Sequence, residues 1–182
     1  MELHSVIILF VVAFIIHDVE EILTVERFAH KNKQAIQQKL PPRMYAFLSK
    51  SLQMSTAQFA FAVMIVFIFV LISAYLGWRS LEQSSLSMVF LGAITIFVLH
   101  SFSHLGHTIY LKKVTPGAIT SLFIVLPYGV YAYYMLVYNT QLVTGTMILK
   151  SIPYGLLIIP IVWLGHVLAQ KLILHPRAPI SG

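Results

Sequence analysis

No cysteine occurs in the 182 residues, which excludes disulfides, thiolate metal sites and a cysteine nucleophile. Charge is almost as scarce. Asp, Glu, Lys and Arg make up 10% of the chain against 58% hydrophobic residues, and the mean hydropathy is +0.84. A soluble domain carries about 25% charged residues, so this chain reads as a polytopic membrane protein of one domain, residues 1–182. A phosphate-cradling Gly-rich loop, a G-x-S-x-G nucleophile and any nucleic-acid motif are also missing. The N-terminus lacks the basic region and small-residue cleavage site of a signal peptide, so the first apolar segment is expected to be retained. The formal net charge of +6 does not point to nucleic acid, because the basic residues are divided among short loops.

What is present is a series of apolar stretches long enough to cross ~30 Å of hydrocarbon. They run at about 5–24, 57–78, 86–110, 118–138 and 147–170, predicting an all-α bundle of five transmembrane helices. The long polar connection, 25–53, is expected at the cytoplasmic interface. Pro41-Pro42 interrupts it, and Met44, Phe47, Leu48 and Leu52 then follow the spacing of a short amphipathic helix. A solvated linker helix accounts for that spacing equally well. Ten of the twelve Lys and Arg residues fall on the flanks that hold this loop, 111–117 and the C-terminal tail; the exceptions are Arg79 and Lys150. The positive-inside bias therefore predicts an outside N-terminus, a cytoplasmic C-terminus and a multi-pass protein of the cell membrane.

Polar residues inside such helices are costly, about 2.5–3.5 kcal/mol each at the bilayer centre even on lenient scales. Two clusters stand out. In the first span, His17, Glu20 and Glu21 share one helical face, with Asp18 about 100° away and Glu26 nearly opposite. The set resembles the inverted zinc-protease pattern H-x-x-E-H in geometry alone, since Glu21 replaces the second histidine. Pairing with Arg27 or Lys31 at the helix end is the plain alternative, and for Glu26 it is preferred. In the third span, His100, His104 and His107 follow i, i+4, i+7 along one stripe. Neutral imidazoles four apart are a common chelating pair for zinc, iron, copper or nickel. A proton relay and simple packing are the competing readings.

His166 in the last span stands alone and reads first as an interhelical hydrogen-bonding residue, second as a ligand. With the predicted orientation, spans one, three and five bring these residues to a similar depth towards the cytoplasmic leaflet. His4, His30 and His175 are left outside the set. Pro127-Tyr128-Gly129 and Pro153-Tyr154-Gly155 echo each other, and Pro160 adds a further break. Ordinary kinks and interface anchors explain them, and a pocket for a long hydrophobic substrate is the sharper reading. Pro116-Gly117 reads as the turn into the fourth span.

His17-x-x-Glu20-Glu21, the His-bearing third span, Lys112-Lys113 and Pro116-Gly117 together resemble the bacterial membrane-protein family named for its HXXEE signature. That resemblance implies little about activity and singles out His17, Glu20 and Glu21. His100-x-x-x-His104 is also similar to lipid-processing membrane hydrolases that bind zinc through histidines, although their seven spans do not match five.

The expectation is a membrane metal-dependent enzyme, with His17, Glu20, Glu21, His100, His104, His107 and His166 as candidate ligands. Glu20 is expected to be the catalytic base or a bridging ligand. Zinc is the favoured ion and iron the second choice, with one or two ions bound. Hydrolysis of a lipid or other hydrophobic substrate comes first, and iron-dependent oxidation or hydroxylation second. Metal-ion or proton transport and haem binding are the other classes; five spans are few for alternating access, for which a homo-oligomer could compensate.

Overall fold

The computed structural model describes residues 2–43, 45 and 53–173. Among these there are helices and connecting turns, and no strand. The predicted interfacial helix built on Met44, Phe47, Leu48 and Leu52 lies outside the described residues, as does His175. Helix α1 (Glu2–Lys39) does not stop at Thr24 but continues through the basic stretch that the sequence suggested was a polar connection. It carries no internal Gly or Pro to break it.

Helix α2 (Thr56–Leu81) starts at a reciprocal cap: the Ser55 hydroxyl accepts from Gln58 N and the Gln58 side chain accepts from Ser55 N. Glu26 of α1 adds its carboxylate to the same terminus, accepting from Thr56 N and Oγ1. That charge suits a helix N-terminus, a role for Glu26 that the sequence did not suggest. Helix α3 (Met88–Leu111) ends at Lys112, whose φ of 54° is left-handed.

Helix α4 (118–139) is wound as alternating α and π turns. Pro127 has no N–H for an ordinary helical bond, and just before it Leu126 N reaches back five residues to Ser121 O. Helix α5 (145–172) is broken at Leu156-Leu157. The cause is Pro160, whose ring conflicts with the carbonyl four residues earlier, at Leu156.

Four of these helices, 56–81, 88–111, 118–139 and 145–172, are long and apolar enough to cross a membrane. Large apolar side chains cover their outer surfaces, among them Ile109 at 77% and Val130 at 73% exposure. An apolar exterior of this extent marks a membrane protein. α3 is the central helix, with Phe90, Leu91 and Ile94 fully buried against Val6 and Phe10 of α1 and Leu136 of α4.

Two glycine contacts decide where α5 runs. A Cβ at Gly155 would lie 2.2 Å from Gly92 O of α3, and a Cβ at Gly165 would lie 3.0 Å from Ala62 O of α2. The first half of α5 accordingly packs on α3 and the second half on α2. Beyond the break α5 leaves α3, and a cavity of about 730 Å³ opens among α1, α2, α3 and α5.

Gly155→Leu should therefore lower thermal stability in detergent by about 1–3 kcal/mol through overpacking. Gly106→Ala, where an added Cβ meets nothing within 4 Å, should leave the melting temperature unchanged or raise it slightly.

Candidate metal centre

α1 and α3 run side by side in the same direction. Phe10 packs on Phe90 and Phe97, and further along Lys39 Nζ reaches Leu111 O. Between these contacts, His17 and Glu21 of α1 face His100 and His104 of α3. Each of the four offers one ligand atom, and these atoms all lie within 4.8 Å of one another. Glu21 Oε1 is 3.0 Å from His104 Nε2, which is 2.8 Å from His100 Nε2. The ring centroids of His17 and His104 are 5.0 Å apart. His17 and His104 are buried and Glu21 nearly so, while His100 borders the cavity.

The connection from α3 to α4 closes over this group. Gly117 has a φ of +75°, and a Cβ there would lie 2.9 Å from Glu21 Oε1, 2.9 Å from His17 Cε1 and 3.0 Å from His104 Cε1. Glycine meets both demands at that position, a left-handed backbone and no side chain. Three residues later, Thr120 ties α4 to α1. Its N and Oγ1 donate to Glu20 Oε2 at 2.7 and 2.6 Å, and its Oγ1 lies 2.9 Å from His17 Nδ1. The hydroxyl has one proton, which goes to Glu20, so it accepts from His17 Nδ1–H. That fixes the tautomer and leaves Nε2 as the His17 nitrogen with a free lone pair.

His17 Nε2 makes no hydrogen bond although it is buried, an arrangement natural proteins rarely leave without a reason. Four atoms with lone pairs converge with too few protons to pair them all. Such a set could hold a cation, and the Glu20–Thr120–His17 chain would then orient His17 from behind.

Of the seven residues singled out in the sequence, four are thus brought together: His17, Glu21, His100 and His104. Glu20 is held by Thr120 and by Ile119 N at 3.4 Å, on the α4 side of α1. His107 is exposed, and both it and His166 line the cavity outside the group. His166 lies beside Phe59, at a ring distance of 6.4 Å. Asp18 also lines the cavity, with a buried Oδ2 that makes no hydrogen bond. Gly117 and Thr120 were missed as site residues. Pro116-Gly117 signalled a turn, but nothing in the sequence told what the turn covers, and Thr120 gave no signal at all.

Fold and site together define a helical membrane protein with a His/Glu cluster at the wall of a partly open cavity among the helices. Residues 8–132 match the family model described as "Protein of unknown function with HXXEE motif", and the chain belongs to that family. The signature is His17-Asp18-Val19-Glu20-Glu21, whose His and final Glu enter the cluster while its first Glu holds Thr120. The chain is 24% identical over 107 residues to "Uncharacterized protein YrkK" of Bacillus subtilis (strain 168), covering 58% of this chain and 67% of the Bacillus protein. No solved structure matches.

Thr120→Val keeps the side-chain shape but removes the hydroxyl between Glu20 and His17. It should destabilise the protein by about 1–3 kcal/mol, with Thr120→Ser restoring most of the loss in the same thermal melts.

Proposed function

We propose that this protein is an integral-membrane, metal-dependent hydrolase acting on a hydrophobic substrate drawn from the bilayer. The observation that carries this reading is the convergence of His17, Glu21, His100 and His104 within 4.8 Å at the wall of an apolar 730 Å³ cavity. Three imidazoles are the ligand set of a catalytic zinc that keeps a fourth position for water. A zinc held by these residues would lower the pKa of its water towards ~7. With the three imidazoles as the ligands, Glu21, whose Oε1 lies 3.0 Å from His104 Nε2, would stay off the ion, accept the proton of the attacking water and return it to the leaving group. Glu20, engaged with Thr120, orients His17 instead of serving as the base. Convergence on one point suits a bare ion better than a haem, whose plane would need the space between its axial ligands.

The same reading extends to topology. α1 joins the four apolar helices as a fifth span, with the N-terminus outside and the C-terminus in the cytoplasm. The supporting feature is the basic bias of one set of flanks. At 38 residues, α1 is about 57 Å long, so its basic second half extends past ~30 Å of hydrocarbon on the cytoplasmic side. Because the chain has no cysteine, single-cysteine variants test this directly. Glu82→Cys should react with an impermeant maleimide in intact cells, whereas Gln38→Cys should react only after lysis; the reverse pattern overturns the orientation.

Elemental analysis of protein purified without a nickel step should find about one equivalent of zinc. His17→Ala and His104→Ala should each lose it, and Glu20→Gln should bind it about 10–100-fold more weakly. Iron in a coloured protein would assign oxidation instead. Ion flux into proteoliposomes would assign transport. Metal-free protein with no response to either histidine variant would end the reading.

A further inference from the structure

We propose that the cavity takes a single-chain amphiphile, with its alkyl chain in a blind apolar well beneath the His/Glu group and its polar end at that group. This rests on the metal reading above and adds a direction and a length to it. The cluster lies partway along the cavity, not at its end. On α1, Phe10 lines the cavity two turns before His17, and on α3, Ala93 lines it two turns before His100. Seven residues at 1.5 Å each give a depth of about 10 Å on both helices.

The floor is made by Phe10, Val70, Ala93 and Ile158, one from each surrounding helix. Below it, fully buried Phe90 packs on Phe10 at a ring distance of 5.6 Å and closes the end. Among the described residues, every side chain lining the well below His17 is apolar, including Phe14, Phe69, Ile96 and Phe97. A polar group lowered into it would lose its hydration with nothing in exchange, so what fills it is hydrocarbon. The polar end of the ligand then meets the ionisable groups above the well, where His17, Glu21, His100 and His104 converge.

The size favours one chain. A cavity of about 730 Å³ falls in the range that encloses a single drug-sized molecule. Entry is lateral. Where α5 leaves α3 beyond Gly155, His100 and His107 of α3 are exposed at the edge of the cavity, so a chain already in the bilayer reaches the site without crossing water.

Alkyl hydroxamates test the inference, because the hydroxamate chelates the metal and the chain reports where it lies. Butyl and octyl hydroxamate are titrated against zinc-loaded protein in nanodiscs of one lipid composition. Ala93→Phe raises the floor and should weaken octyl binding about tenfold, the scale of an overpacked contact. Butyl binding and zinc content should not change. Val70→Phe, from the facing helix, should repeat the effect, so that misfolding of one variant does not decide the matter. Equal binding of the long probe by wild type and both variants would overturn the inference, as would a loss that follows Val25→Trp, on the cytoplasmic side of the group, instead. Absence of zinc or of butyl hydroxamate binding would reject the metal reading itself, and the inference with it.

Discussion

Ionisable groups buried between apolar helices have to be satisfied by one another, because neither water nor lipid will do it. In this protein that constraint falls on the contact between α1 and α3. His17 and Glu21 can remain buried because His100 and His104 meet them, and the pairing sets the register of the two helices. The aromatic packing of Phe10 and Phe14 against Phe97 holds the same register from below, and the contacts of Lys39 and Tyr110 hold it from above. A slip of one residue on either helix would turn a histidine or a carboxylate into the apolar core.

The remaining elements are arranged around this contact. The α3–α4 turn can lie over the cluster because Gly117 has no side chain and takes a left-handed backbone. That turn delivers Thr120 to Glu20 and His17, so the start of α4 becomes part of the support of the site. α5 does the opposite and withdraws. It is held to α3 at Gly92 and Gly155, breaks ahead of Pro160 and moves to α2 at Gly165. The cavity is the space this departure leaves, and the cluster sits in its wall. The proposed chemistry thus depends on two backbone features that supply no ligand themselves: a glycine that lets one segment approach and a proline that sends another away.

The HXXEE signature acquires a physical division of labour from this geometry. Its histidine and last glutamate lie on the face of α1 that meets α3. Its first glutamate, about 100° round the helix from the last, meets α4. Adjacent carboxylates therefore serve two different helices, and the hydroxyl of Thr120 joins the two functions through His17 Nδ1.

The apolar periods made the helices legible from the sequence, because covering a hydrocarbon layer requires long runs with few charges. The boundaries of the last four helices agree with those runs to within a few residues. Buried ionisable residues made the site legible in part: His17, Glu21, His100 and His104 stood out because their types are expensive in such helices. The continuation of α1 through 25–39 was obscured by its polar composition, since charge density reports contact with water and not the end of a helix. The roles of Glu20 and Glu21 could not be separated, because both lie on the face defined by His17 and the partner of each is set by a different neighbouring helix. His107 and His166 likewise belong to the right helices at the right depth, and only the rotation and departure of those helices decided that they line the cavity without joining the cluster. Composition and spacing determined which groups must be buried; tertiary packing alone, through the approach of Gly117 and the divergence of α5, determined which of them meet.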